Sequence, residues 1–196
     1  MAGTMPHAIF VETDLDGGVA AYAAELPGCA VFEETDEAAA GGMPGRVVEF
    51  IDWLRRNGEA APTFVGDNWY EVERAGAMPD RRAAFSLDEL PPSEREHASW
   101  LRWLELAREE LADVADEVPP DELAAIASQD LAFTRELGGE VAALPANPVD
   151  ALYVARDALT DALEAAGPAH DGVRRILRLA IADDLHAAGR GRGVER

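Results

Sequence analysis

The strongest constraint on this chain is a change of hydrophobic period near residue 92. Before it, apolar residues alternate in short runs; after it they recur at about three and a half positions. A period of two suits strands buried on one face, and the longer period suits amphipathic helices. A chain carrying both in succession is expected to be α+β, with a small antiparallel sheet first and an up-and-down four-helix bundle second.

The first part reads as hairpins and one helix. Ala8-Ile9-Phe10-Val11-Glu12-Thr13 is a strand, the Gly- and Asp-rich stretch from Asp14 to Gly18 a turn, and Val19 to Ala23 the returning strand. Pro27-Gly28 marks a second turn before a short strand, Ala30-Val31-Phe32-Glu33. Thr35 is a helix N-cap, with Asp36 and Glu37 where the helix dipole favours acids. Gly41-Gly42-Met43-Pro44-Gly45 is expected to interrupt this helix, which resumes at Arg46 and stops at Asn57-Gly58. Asn68 to Glu73 is a further extended stretch able to join the sheet.

The expected domains are residues 1–75, a linker over 76–92 with one short strand at Ala83-Ala84-Phe85, a bundle over 93–190 and a tail over 191–196. Ser93 with Glu96 is a capping box for the first bundle helix, whose stripe is Trp100, Leu104, Ala107, Leu111 and Val114. Pro119-Pro120-Asp121 opens the second, ended by Gly138-Gly139, and Asn147-Pro148 opens the third. The fourth is expected from Asp171 to Ala188.

Charge narrows the function. Against 38 acidic residues stand 17 basic ones, all arginine, for a net charge of -21. Such a surface repels phosphate backbones, so no nucleic-acid partner is expected. The one dense basic group, Arg174, Arg175, Arg178, Arg190 and Arg192, reads as an arginine-rich last helix and a frayed tail rather than a binding patch. One cysteine, Cys29, rules out an internal disulfide and a cysteine-based zinc site; it reads as a small packed residue at a strand start. No apolar run approaches the ~20 residues of a membrane span, and no signal-type segment is evident, so a cytoplasmic location and no membrane partner are expected.

Over roughly residues 8–58 the ordered set resembles the HicB-like family, the antitoxin fold of bacterial toxin–antitoxin pairs. The matching residues are the acidic turn, Leu26-Pro27-Gly28-Cys29, Thr35-Asp-Glu-Ala38 and the helix stop from Trp53 to Gly58. The interrupted helix is longer than in the simplest antitoxins, and no ribbon-helix-helix or helix-turn-helix segment is evident. Residues 90–190 look like a divergent DinB-like bundle, the metal-binding superfamily that includes bacterial thiol transferases. That resemblance rests on Trp103 to Glu109, Ile126 to Gly139, Arg174-Arg175-Ile176-Leu177-Arg178 and His186-Ala187-Ala188-Gly189. Competent members carry three histidines, one from the second helix and two spaced by four in the last. Here the corresponding positions fall at Ala125 and near Asp183 and Ala187, or one residue earlier, with histidine only at His186.

The chemistry expected is therefore slight. Asp130, Asp183 and His186 are the candidate binding residues; no catalytic residue and no resident metal or cofactor is assigned. Asp130 and Asp184 fall within apolar stripes, where a lone carboxylate is costly unless paired. They are expected near bundle ends, solvated or bridged to Arg135 or Arg178; a competing reading is a remnant acidic pocket with His97 or with an Arg partner. His7 and His170 are placed in loops, and Trp100 and Trp103 are not expected to share one core. The leading reading is a non-catalytic binding or regulatory protein, homodimeric and with a protein partner. One alternative is a metal-dependent hydrolase or thiol transferase holding one divalent ion such as zinc or nickel. The other is an antitoxin neutralising a small basic toxin.

Overall fold

The computed structural model describes residues 7–15, 18–62, 69–77, 82–141 and 143–193. It divides into two compact units, Met1–Leu87 and Asp88–Arg196, each taken by itself below. Together they make an α+β protein. Among the described residues no helix is long and apolar enough to cross a membrane.

The first unit is a four-stranded sheet with one helix. Strands β1 (His7–Leu15), β2 (Gly18–Ala23) and β3 (Ala30–Glu33) are followed by α1 (Asp36–Arg56) and β4 (Trp69–Gly76), in the sheet order β3-β2-β1-β4. The first three strands pair antiparallel as the hairpin signals predict, but β4 lies parallel to β1, so the sheet is mixed. A helix between β1 and β4 returns the chain to the end where it started, which is what parallel pairing requires. The Asn68 end of the predicted strand lies outside the described residues.

Register assigns the faces. Val11, Ala21 and Val31 are opposed across three strands, and α1 packs on β2 and β3 over this side. Phe10 and Tyr22 occupy the other face, where Phe85 stacks on Phe10 at 4.7 Å between ring centroids. The Ala83–Phe85 strand is not formed: this segment is irregular and leads into a 3-10 turn at Ser86–Glu89. Its role is to cover the Phe10 face, and a covering segment needs no ladder.

A register shift in β4 between the partners of Ile9 and Phe10 leaves Val72 as an extra residue. The bulge turns Glu73 to the Phe10 side, where its carboxylate accepts from Ser86 N at 2.8 Å and Ser86 Oγ at 2.6 Å. It also turns Arg74 to the α1 side, where it pairs with Asp36 in the first helical turn.

The helix α1 is continuous from Asp36 to Arg56, with Pro44 inside it, rather than interrupted. Thr35 caps it by accepting from Ala38 N at 3.3 Å. Burial of Met43, Val47, Phe50 and Leu54 holds the glycine-rich stretch helical against its own propensity. At Gly42 a β-carbon would lie 3.0 Å from Val31 Cγ1, so a small residue is needed for helix and sheet to meet.

The second unit is built from α2 (Glu94–Ala112), α3 (Pro120–Glu136), α4 (Pro148–Ala166) and α5 (Val173–Gly191), with a 3-10 turn at Ala115–Glu117. Ser93 and Glu96 form the predicted capping box, and Asn147 caps α4 by accepting from Val149 N at 2.9 Å. The last helix starts two residues later than predicted, after Gly172 in the left-handed region at φ 85°.

The helix directions are not up-and-down. Arg174 near the start of α5 lies over Trp100 near the start of α2, and Arg192 after α5 pairs with Glu110 near the end of α2. These two helices are therefore parallel. Arg175 pairs with Glu136 and Arg190 with Glu122, so α3 runs against α5. One apolar cluster joins Leu123 and Ala127 of α3 to Ala151 and Ala155 of α4, and Gly139 approaches Ala162, so α3 and α4 are also parallel. The connection over 137–147 can reach ~36 Å at about 3.3 Å per residue, against ~28 Å for a helix of this length. It is long enough to bring the chain back to the end at which α3 began.

Candidate functional site

Each bundle helix carries a charged residue inside its apolar stripe, and α5 buries Arg175 and Arg178 besides. Arg108 lies four residues after Leu104 and three before Leu111; Arg156 lies four after Leu152 and three before Leu159. Asp130 follows Ala127 by three and Ile126 by four, and Asp184 follows Ala180 by four. Helical spacing therefore points all four inward. They meet in the bundle interior, with exposures of 2% for Arg108, 1% for Asp130, 4% for Arg156 and 0% for Asp184.

Their geometry is that of a charge-balanced quartet. Arg108 donates through Nε to Asp184 Oδ2 at 3.0 Å and through Nη2 to Asp184 Oδ1 at 2.9 Å. The same Nη2 reaches Asp130 Oδ2 at 2.9 Å, and Nη1 donates to the Leu152 carbonyl of α4 at 2.7 Å. Arg156 donates through Nε to Asp130 Oδ2 at 3.1 Å and through Nη2 to Asp184 Oδ2 at 2.8 Å. Two guanidiniums thus share two carboxylates across four helices.

The two arginines are not equivalent. Burial would lower the pKa of Arg108, but the Asp184 and Asp130 carboxylates outweigh it and hold this residue above the ordinary value. Burial together with the nearby Arg108 charge lowers that of Arg156. Its Nη1 has no hydrogen-bond partner among the described residues. Burial also pushes the Asp130 carboxyl up, against the pull of Arg156 and then Arg108. A buried ion pair of this kind offsets a desolvation cost of several kcal/mol per ion only because every carboxylate oxygen is engaged.

The sequence candidates divide here. Asp130 is in the quartet, joined by Asp184. Neither lies solvated at a bundle end, and their partners are Arg108 and Arg156, not Arg135 or Arg178. An arginine partner is the alternative the structure supplies, from Arg108 and Arg156 at equivalent stripe positions of α2 and α4. Asp183 and His186 are partly exposed on α5, flanking the buried Asp184 and Leu185. Ala125 is exposed. Among the described residues, no group of three or more His, Cys, Asp or Glu is placed to hold a metal ion. His97 stands 11 residues before Arg108 on the same helix, ~16 Å by helical rise, so it takes no part in an acidic pocket with Asp130.

The basic group in α5 is matched residue by residue. Arg174 donates to the Leu90 carbonyl at 3.0 Å, Arg178 donates to Asp88 at 2.7 Å, and Arg175, Arg190 and Arg192 pair with Glu136, Glu122 and Glu110. Trp100 and Trp103 are both buried, at 4% and 5% exposure. His7 begins β1 and lies 4.7 Å from Trp69 between ring centroids, while His170 is in a loop as expected.

The first unit holds its own buried carboxylate, which the strand pattern concealed. Glu12 is fully buried on β1, accepting from Tyr22 Oη at 2.8 Å, Arg82 Nη2 at 3.0 Å and Ala83 N at 2.5 Å. These bonds outweigh burial and hold its carboxyl below the usual range. Cys29, also fully buried, has its thiol pushed up to about 12 by burial, which leaves it a poor nucleophile.

No family model, curated protein or solved structure matches this chain.

Proposed function

We propose that this chain is a non-catalytic binding or regulatory protein, its sheet unit HicB-like and its bundle a degenerate DinB-like module. The observation that carries the reading is the commitment of Asp130, whose two carboxylate oxygens accept from Arg108 and Arg156. The polar interior, where a bundle could gather ligands for chemistry, is occupied by cations that repel a divalent ion. Their acidic partners are closed off from solvent, so substrate has no path to them. What remains accessible is a strongly acidic surface, net -21, suited to steering a basic partner into contact.

Loading the full chain with excess zinc or nickel, removing free ion and measuring bound metal tests the reading. Far less than one ion per chain is expected, with no saturable hydrolase or thiol-transfer turnover. Close to one tightly held ion per chain, with turnover lost in Asp183→Ala or His186→Ala, would overturn it in favour of a metal-dependent enzyme.

A further inference from the structure

We propose that the Arg108–Asp130–Arg156–Asp184 quartet selects the directions of the bundle helices, fixing α2 parallel to α5 and α3 parallel to α4. The apolar layer beside it does not discriminate. Leu111, Leu123, Leu131 and Leu152 alternate there with Ala115, Ala127, Ala151, Ala155, Ala187 and Ala188. Such small and similar side chains tolerate sliding or reversal with little change in filled volume. Among the ion pairs at the helix ends, Arg190 and Arg192 are largely exposed and discriminate weakly, whereas Arg175 is buried and its pair with Glu136 adds to the quartet in setting α3 against α5.

The quartet discriminates because its members sit at defined heights. Arg108 is the fifteenth of the 19 residues of α2. Reversing that helix about its centre would carry the guanidinium ~15 Å along the bundle at about 1.5 Å per residue. Asp184 and Asp130 would then lose Arg108 inside an apolar core, and the Leu152 carbonyl would lose its donor. An unpaired buried charge is among the costliest defects a fold can carry, so the polar layer excludes the misassembled bundle where the Leu and Ala layer beside it would not.

The test uses the full chain with Cys29→Ala, Glu110→Cys and Arg192→Cys, and a short bismaleimide to report whether α2 and α5 run together. The parent quartet should cross-link nearly completely within the chain. The variant R108M/D130L/R156M/D184L removes every charge while keeping a large apolar side chain at each site. It is expected to stay helical, to lose at least half of the cross-link and to show more than one set of amide resonances. R108M/D184L, which leaves the Asp130–Arg156 pair intact, should fall between the two and decides the question if the fourfold variant does not fold. Full cross-linking with one set of resonances in either folded variant would overturn the proposal. So would loss of folding in both, since the quartet would then be needed for folding at all rather than for choosing among bundles.

Discussion

Arg108 and Asp184, 76 residues apart, face each other through two parallel N–H···O bonds at 3.0 and 2.9 Å in the interior of the bundle. The fork of a guanidinium matches the two oxygens of a carboxylate, and here its third nitrogen is used as well, on the Leu152 carbonyl. Removing one partner strands the other's charge in the core. Arg108→Met alone should therefore cost about 3–5 kcal/mol in urea unfolding. Arg108→Lys should recover little of it, because an ammonium cannot serve both carboxylates and the carbonyl from one position. Near-wild-type stability in Arg108→Lys would show that the fork geometry is unimportant.

Glu12 gives the first unit an acid-sensitive limb. Its folded-state pKa lies below the ordinary 4.5, through Arg82, the Ala83 amide and Tyr22, although burial acts the other way. A depressed carboxyl contributes stability that is present above the unfolded value and is lost as pH falls through the folded one. Unfolding midpoints should thus drop on acidification below about pH 4.5 in the parent. Glu12→Gln should lower stability at neutral pH by about 2 kcal/mol and flatten that acid limb. A parallel acid limb in parent and variant would mean that other carboxylates set it.

Much of the architecture was legible from spacing. Ser93 with Glu96, Asn147-Pro148 and Thr35 each cap a helix where the pattern places them, because a cap is a local device read from a few adjacent residues. The pairing of β4 was not legible. Parallel and antiparallel neighbours show the same alternation, and direction is set by the intervening helix. Pro44 misled because local propensity was outweighed by burial of Met43 and Val47 on either side. The quartet was half legible: Asp130 and Asp184 stood out as acids in apolar stripes. Arg108 and Arg156 passed unremarked, since a long basic side chain at a stripe edge is expected to reach solvent. Weighing arginines as well as acids at stripe positions is the signal that brings Arg108 and Arg156 in beside the two aspartates.

Two helical or near-helical glycines should respond in opposite directions to alanine. Gly41 in α1 has nothing within 4 Å of an added β-carbon, so Gly41→Ala should stabilise by about 0.5–1 kcal/mol through helix propensity alone. At Gly139 the same atom would lie 2.7 Å from Ala162 Cβ and 2.9 Å from Thr134 Cγ2. Relief requires α3 and α4 to separate, and Gly139→Ala should cost about 1–3 kcal/mol. Thermal melts of the two variants side by side test both signs, and a neutral Gly139→Ala would disprove the close approach of these helices.

Cys29 should be silent to thiol reagents until its unit opens. With no exposed surface and its thiol pushed up to about 12, it offers neither access nor thiolate at neutral pH. Labelling by a disulfide-exchange reagent should be slow in native buffer and rapid in denaturing urea. Fast stoichiometric labelling of the native chain would contradict the burial.

His97 makes the bundle sensitive to mild acid. It is buried near the start of α2, and its Nε2 has no hydrogen-bond partner among the described residues. Burial lowers its pKa below the ordinary 6.5, against the opposing pull of Glu94 and Glu164. For a histidine whose folded value is depressed, the neutral ring is the form the fold accepts. Its contribution is complete above the unfolded value and is lost as pH falls through the folded one. Stability of the parent should therefore begin to fall below about pH 6.5, well before the carboxylates titrate. His97→Leu fills the same apolar surroundings and carries no proton, so its advantage over the parent should grow between about pH 7 and about pH 5. An imidazole resonance of His97 titrating above 6.5 would reverse the sign of the shift and with it the direction of this prediction.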